Sequence, residues 1–503
     1  MPQRVNVTEK AIIEKPDEFD EREALTWRNG ALTYQELREK VTGYANWFKE
    51  KGVKKGDFVL SRLNTQPEAY ISYLALMYIG AVPAPVSVLV APGEFQYFVD
   101  DCQPRVVLFD ENNSDAIDET KTGKIELEIP IESIELDQSI SKEVISPAAT
   151  SREDPAYMLY SSGTTGEPKG ILHGHKDWIG FSDPYKHVST GKGDRVLHPH
   201  ELSFSYTWAV GFMTPLMDGA TIVVFQDRVR PEKLSSTIKE CKATVFCTVP
   251  TVYRMILQAD INSNIIAHNI QMCTSAGGHL SEKLMKKWKQ RFGLPIYNIF
   301  GTSEDMIQTI CIEEEKVGSL GKPLPHLRMN VVDEDGNPKK PGETGHLVVG
   351  QDNPVHFIEY LNKPEEWEKS HREGWFYPGD HAYKDKDGFF WYVSRSDDII
   401  VSREYLISPK EVEDALISHP EIEEAGVIGV PDKVFGERVV AFITTESKEL
   451  NTPVNEIRDW LKGEIAKYKV PKEIRLISSL PKSDTGKLQR RKLNEIYNSQ
   501  KED

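Results

Sequence analysis

Short runs rich in β-branched residues alternate with helical stretches along most of this chain, and that alternation restricts the fold more than any other feature. LTYQELREKVTGYANWFKEKGV places apolar residues at helical spacing and leads into the strand-like DFVLSRL. The order recurs where ATIVVF precedes PEKLSSTIKECK and then ATVFCTVP. Strands separated by helices pair in parallel, with the helices covering the sheet faces. The expected fold is therefore α/β, with parallel-rich sheets packed with helices. Turn-rich connections, DEDGNPKKPGETG and KDKDGFF, predict hairpins and a β-rich section near 325–395. At 503 residues the chain is too long for one core. After SRSDD the texture becomes a compact α+β alternation, which predicts a boundary at Asp397. A large domain would span 1–396 and a small one 397–503, with the junction itself as the hinge.

Charge and composition exclude several classes. The net charge of −17 and the dispersal of lysine and arginine among acids argue against a nucleic-acid partner. Five cysteines, Cys102, Cys241, Cys247, Cys273 and Cys311, show no C-x-x-C spacing and predict reduced thiols. The N-terminal MPQRVNVTEKAIIEK lacks the apolar core of a secretory signal, so the expected location is the cytoplasm. The uncharged stretch Ala69–Pro92 is long enough to span a bilayer, but Gly80, Pro83, Pro85 and Pro92 interrupt it. A buried helix to about Ile79, followed by a strand, accounts for it without a membrane.

The segment YSSGTTGEPKG at 160–170 is the densest local signal. Between the strand-like AYMLY and ILH it forms a loop with four hydroxyls, at Ser161, Ser162, Thr164 and Thr165. Gly163, Gly166 and Gly170 let backbone N–H groups turn toward one point, and Lys169 adds a charge. Such a nest suits a polyphosphate. It is not a P-loop of the G-x-x-x-x-G-K-[ST] kind, because Glu167 follows Gly166 and Gly170 follows Lys169.

Together with this loop, four further segments resemble the AMP-forming adenylating enzymes, the group that includes acyl-CoA synthetases, peptide-synthetase adenylation domains and luciferase. FGTSE (300–304) is similar to the family's Y-G-x-T-E, and GWFYPGD (374–380) to its ribose-binding aspartate segment. SRSDDII (394–400) resembles the hinge G-R-x-D-D, and LPKSDTGKLQRRKL (480–493) the segment with the C-terminal catalytic lysine. Each alone has a mundane reading as a turn or cap. Their order and spacing along nearly the whole chain carry the resemblance.

The resemblance implies a reaction in which a carboxylate attacks the α-phosphorus of ATP and releases pyrophosphate, and CoA then takes the acyl group. Two anions must meet, so cations and N–H donors are required. Ser161, Ser162, Gly163, Thr164, Thr165, Gly166 and Lys169 would hold phosphates, with Thr164 and Thr165 closest. Glu304 would hold Mg2+, and Ser303 stands where the family usually has threonine. Asp380 and Arg395 would bind ribose, while Asn298, Phe300, Gly301, Thr302 and Gly277 would surround the adenine and α-phosphate. Lys487 would be catalytic, with Glu304 and Thr165. Asp397 is the implied hinge. Ser402, Arg403 and Glu404 mark the implied CoA passage, and there the chain departs from the family, with Glu404 at the usual glycine and Leu406 at a frequent arginine.

HPHELSFSYTWAVGFMTPLMDGA, TVFCTVPTVYRMIL and MCTSAGGHL look most like benzoate–CoA ligases and related acyl-CoA synthetases. The implied acyl pocket comprises Phe204, Tyr206, Trp208, Ser275 and Gly277, although the aromatics also fit a core. The expected substrate is a monocarboxylic acid, aromatic or of short to medium chain, with ATP, Mg2+ and CoA. The expected partners are these small molecules alone, for a monomer or homodimer. The alternatives are transfer to a carrier-protein thiol, or a non-catalytic ATP-binding relative.

Overall fold

The computed structural model describes residues 4–118, 125–134, 145–161, 168–177, 191, 193–259, 261–325, 327–395, 398–402, 405–432, 435–483 and 486–499. Its centre is a nine-stranded sheet. Six of these strands run parallel: Glu23–Trp27, Thr221–Val223, Arg195–Leu197, Val245–Thr248, Met272–Ser275 and Ile296–Thr302. Their β-branched and aromatic side chains are buried on both faces, as parallel strands under helices require. Met306–Cys311 returns antiparallel to Ile296–Thr302 and turns the sheet edge into a hairpin.

The flanking helices explain the periodicity. Helix Tyr34–Glu50 opens with a reciprocal cap, in which the Glu36 amide donates to Thr33 and the Thr33 amide to Glu36. It buries Tyr34, Leu37, Val41, Tyr44 and Phe48 at spacings of one turn. Helix Pro67–Tyr78 is buried all round, which is why it carries no charge after its first turn. The strand after it, Val82–Pro85, lies at the edge of a four-stranded parallel sheet. Pro83 and Pro85 lack the N–H a second neighbour would need, so the edge is where they fit. Among the described residues no helix is long and apolar enough to cross a membrane.

Three further sheets complete the molecule. Pro155–Ser161 and Lys169–Gly174 form an antiparallel pair with Ser161 opposite Lys169, so the hydroxyl-rich segment joins two paired strands. A six-stranded antiparallel sheet covers Met329–Arg395, including Gly345–Gly350, Asp380–Lys384 and Phe390–Arg395. The last sheet is built only from strands between Ile400 and Leu476. Its own core contains Val412, Leu416, Val427, Ala441 and Ile457, separate from the large cluster around the central sheet.

Candidate active site

In open parallel sheets ligands sit beyond the carboxyl ends of the strands. Here Thr248, Ser275 and Asn298 lie abreast at that edge, as mutual partners on adjacent strands. Asn298 donates its amide N–H to the Ser319 carbonyl at 2.8 Å, leaving its own carbonyl oxygen as an acceptor at the rim. Beyond it the hairpin carries Phe300, Gly301 and Thr302. A Cβ at Gly301 would lie 1.7 Å from the Met306 carbonyl oxygen, so the crossing of the two strands admits only glycine. Thr302 Oγ1 accepts from the Asp305 amide and from Gln308 Nε2, both at 3.3 Å, which shapes the turn that follows.

That turn presents Ser303 and Glu304. The Ser303 hydroxyl meets Ser205 Oγ at 3.2 Å. Glu304 is half-buried, and one of its carboxylate oxygens accepts from the Tyr360 hydroxyl at 2.9 Å. Its backbone carbonyl accepts from the Phe357 amide at 3.1 Å. A carboxylate at this turn is a hard oxygen donor. Among the described residues no three His, Cys, Asp or Glu side chains are grouped to hold a metal. A single carboxylate that shares its ion with phosphate oxygens is the arrangement Mg2+ favours.

Across the cleft, Asp380 and Arg395 face each other on paired antiparallel strands and join at 3.0 Å. Arg395 also donates to the Pro378 carbonyl at 3.0 Å. Burial pushes the Asp380 carboxyl up, Arg395 opposes that shift, and the Asp380 charge raises Arg395 in turn. Lys487 approaches from the opposite wall. It follows Gly486, whose φ of +77° suits glycine, in a turn closed by Gly486 N–H to Ser483 O at 2.8 Å. Gly486 rests on the first turn of helix Pro250–Gln258, where an added Cβ would lie 3.0 Å from Thr251 Oγ1.

Lys487, Glu304, Asp380 and Arg395 are within electrostatic reach of one another. Protein atoms crowd the Lys487 side chain from all sides, yet it retains exposed surface because the cleft is open to water. Crowding and the Arg395 charge lower its pKa, while Glu304 and Asp380 support the ammonium.

Other candidate residues are placed as follows. Lys169 is ion-paired with Glu366 and lies 5.4 Å from the Tyr360 ring centroid, so it is not an unpaired charge. Gly277 has φ +77°, and a Cβ there would come within 2.8 Å of Phe204 Cζ. Ser275 Oγ is buried without a hydrogen-bond partner among the described residues. Tyr206 is buried and its hydroxyl meets Thr274 Oγ1 at 2.7 Å. Trp208 is fully buried and stacks on Tyr157 at 4.5 Å and Tyr73 at 5.8 Å. Ser161 ends its strand, and Ser402 is buried at the end of strand Ile400–Ser402. Ser162, Gly163, Thr164, Thr165, Gly166, Asp397, Arg403 and Glu404 lie outside the described residues.

The structure adds residues that sequence reasoning passed over. Tyr360 and Glu366 lie in HFIEYLNKPEE, where an acid after proline reads as a plain helix start. Basic residues of the central body reach the last sheet. Lys283 donates to the Ile422 carbonyl at 2.7 Å and to those of His419 and Pro420 at 3.4 Å, at the end of helix Pro409–Ser418. Lys287 pairs with Glu423 at 2.8 Å, Arg254 with Glu424, and His279 with Asp414.

Comparison with known proteins identifies the family. Residues 13–356 match the AMP-binding enzyme family and residues 411–487 the AMP-binding enzyme C-terminal domain. The chain belongs to that family. It is 30% identical over 522 residues to the 3-hydroxybenzoate–CoA/4-hydroxybenzoate–CoA ligase of Thauera aromatica, with 98% of each chain covered. It is 31% identical to 4-hydroxybutyrate–CoA ligase 1 of Metallosphaera sedula, covering 93% of this chain and 86% of that one. The crystal structure of the anthranilate CoA ligase AuaEII in complex with anthranoyl-AMP superposes with a TM-score of 0.90 at 27% identity, covering 99% of this chain and 98% of that one.

Proposed function

We propose that this enzyme is an AMP-forming carboxylate–CoA ligase that activates a monocarboxylic acid, aromatic or of short to medium chain. The observation that carries the reading is the meeting of Lys487 with Glu304, Asp380 and Arg395 in one cleft, contributed by distant parts of the chain. A carboxylate oxygen of the acid attacks the α-phosphorus of ATP. The bond to the bridging oxygen breaks, and pyrophosphate leaves with its electrons. The sulfur of CoA then attacks the acyl carbon, expels AMP and gives up its proton.

Each residue has a role in that sequence. Asp380 accepts from the ribose hydroxyls, held in place by Arg395. Asn298 accepts from the adenine amine, and Phe300 supplies a flat apolar face. Lys487 draws the two anions together and offsets the charge that grows on the α-phosphate. Ser303 donates to the same phosphate. Thr164, Thr165 and Lys169 bind the outer phosphates, which must draw Lys169 from Glu366. Glu304 would hold Mg2+, which when bound neutralises phosphate charge. The acyl pocket lies by Phe204, Ser275 and Gly277, with Tyr206 and Trp208 behind. The boundary between a large and a small domain lies at Asp397, the hinge about which Lys487 is withdrawn so that CoA passes near Ser402, Arg403 and Glu404. Five buried free cysteines support a reducing, cytoplasmic location.

Pyrophosphate release measured with a panel of acids, with and without CoA, tests the function. Acid-dependent release, followed with CoA by equal amounts of AMP and acyl-CoA, is the expected result. Release without discharge by CoA would assign the acceptor to a carrier-protein thiol. No release with any acid would overturn the reading.

The contacts of Lys283 provide a second expectation. Its ammonium caps carbonyls at a helix end, where cations are favoured. Lys283→Ala removes roughly 1 kcal/mol from the seating of the last sheet, given its partial exposure. Adenylation measured by single-turnover pyrophosphate release should slow about fivefold, which is that energy converted. Thioester formation from preformed acyl-adenylate should be unchanged. Equal slowing of both steps would refute the assignment.

A further inference from the structure

Two buried aspartate–histidine pairs brace the turn that carries Glu304. On one side His173 Nδ1 lies 2.6 Å from Asp177 Oδ2, and its Nε2 lies 2.9 Å from the Ser303 carbonyl oxygen. On the other, His356 Nδ1 lies 2.8 Å from Asp305 Oδ1, and its Nε2 lies 3.0 Å from His371 Nε2. His371 Nδ1 in turn faces the Trp367 carbonyl at 2.8 Å. His173, Asp177, Asp305 and His356 are all buried. Ser303, Glu304 and Asp305 are thus held in order by His173, by Tyr360 with the Phe357 amide, and by His356.

Counting protons defines the second pair. A carbonyl accepts only, so His371 carries its proton on Nδ1 and offers a lone pair at Nε2. Burial keeps that ring neutral, with its pKa pushed down to about 4. The hydrogen bond between the two Nε2 atoms therefore requires N–H on His356. A buried carboxylate is tolerated where it is hydrogen-bonded, and Asp305 is held by His356. An apolar pair would be simpler if packing were the only requirement.

We propose that His356 and Asp305 are positioning residues that hold the Glu304 carboxylate in the orientation a nucleotide-bound divalent cation needs. The proposal rests on Glu304 as the metal ligand. His356 does not touch the cation. It fixes the residue next to Glu304, and its neighbours Phe357 and Tyr360 fix Glu304 itself. Groups that orient a metal ligand commonly alter metal affinity by roughly 10–100-fold when lost.

The test is Mn2+ binding in the presence of ATP, followed by electron paramagnetic resonance on the full-length protein, together with thermal unfolding. His356→Leu should weaken Mn2+–ATP binding about tenfold and raise KM for the metal nucleotide more than it lowers kcat. His356→Asn retains a donor toward Asp305 and should recover most of the loss. Should His356→Leu fail to fold, Asp305→Leu/His356→Leu removes both buried polar groups and decides the matter. The double variant should be stable and still bind Mn2+–ATP weakly. Normal Mn2+–ATP binding in the double variant, or in His356→Leu, would reduce the pair to a structural role and overturn the proposal. Glu304→Gln is the separate control: normal Mn2+–ATP binding there would overturn the metal-ligand assignment beneath it.

Discussion

Replacing Lys487 with alanine should lower acyl-adenylate formation by roughly 10²–10³-fold, the loss that follows removal of one preorganised charge donor. The side chain supports no core cluster, and the Gly486 turn is closed by backbone groups with Ser483, so the variant should unfold at the wild-type temperature. Only one half of the reaction should suffer. Given preformed acyl-adenylate and CoA, the variant should make thioester at the wild-type rate, because the lysine is withdrawn by then. Single-turnover assays of each half check this directly. Normal adenylation would remove Lys487 from the mechanism, and parallel loss of both halves would mean that it never leaves the site.

The largest effect on stability is expected at Trp208. Its indole is fully buried and stacks on both Tyr157 and Tyr73. Truncation to alanine leaves a cavity between rigid rings that cannot collapse, at a cost of about 3–5 kcal/mol. Urea unfolding should record that loss, while the ranking of acids in the pyrophosphate assay stays the same. A variant of unchanged stability with an altered acid preference would place the indole in the acyl pocket instead. The comparison distinguishes the two roles that an aromatic residue in SFSYTW can have.

Legibility in the sequence followed the range of the interactions. The parallel strands under helices, the loop between two strands at YSSGTTGEPKG and the buried run before Pro83 depend on nearest neighbours and periodicity, and each could be read. The pairing of Leu25 with Ile222 could not, because nothing local to either residue encodes it. The same holds within the site. Asp380 and Lys487 announce themselves through short motifs. Glu366 does not, since its importance comes only from its ion pair with Lys169, brought near by a helix far along the chain. Lys283 was equally silent because its partners are backbone carbonyls, which every sequence contains. The histidine pairs were hidden for another reason. HGHKD reads as a polar strand end until His173 is found bonded to Asp177 and to the turn beside Glu304.

The contacts that seat the last sheet on the central body have a consequence for how the enzyme responds to its surroundings. Each body keeps its own oily interior, whereas the seam between them is made of Lys287 with Glu423, Arg254 with Glu424 and His279 with Asp414. Dissolved ions weaken attraction between partly exposed charges, with a Debye length of about 10 Å at 0.1 M, and leave apolar burial almost untouched. Ionic strength therefore acts on the seam more than on either apolar core. If the proposed hinge motion withdraws Lys487, rising salt should shift the molecule away from the seated arrangement, and the two halves of the catalytic cycle should draw apart in rate while the apolar cores stay in place.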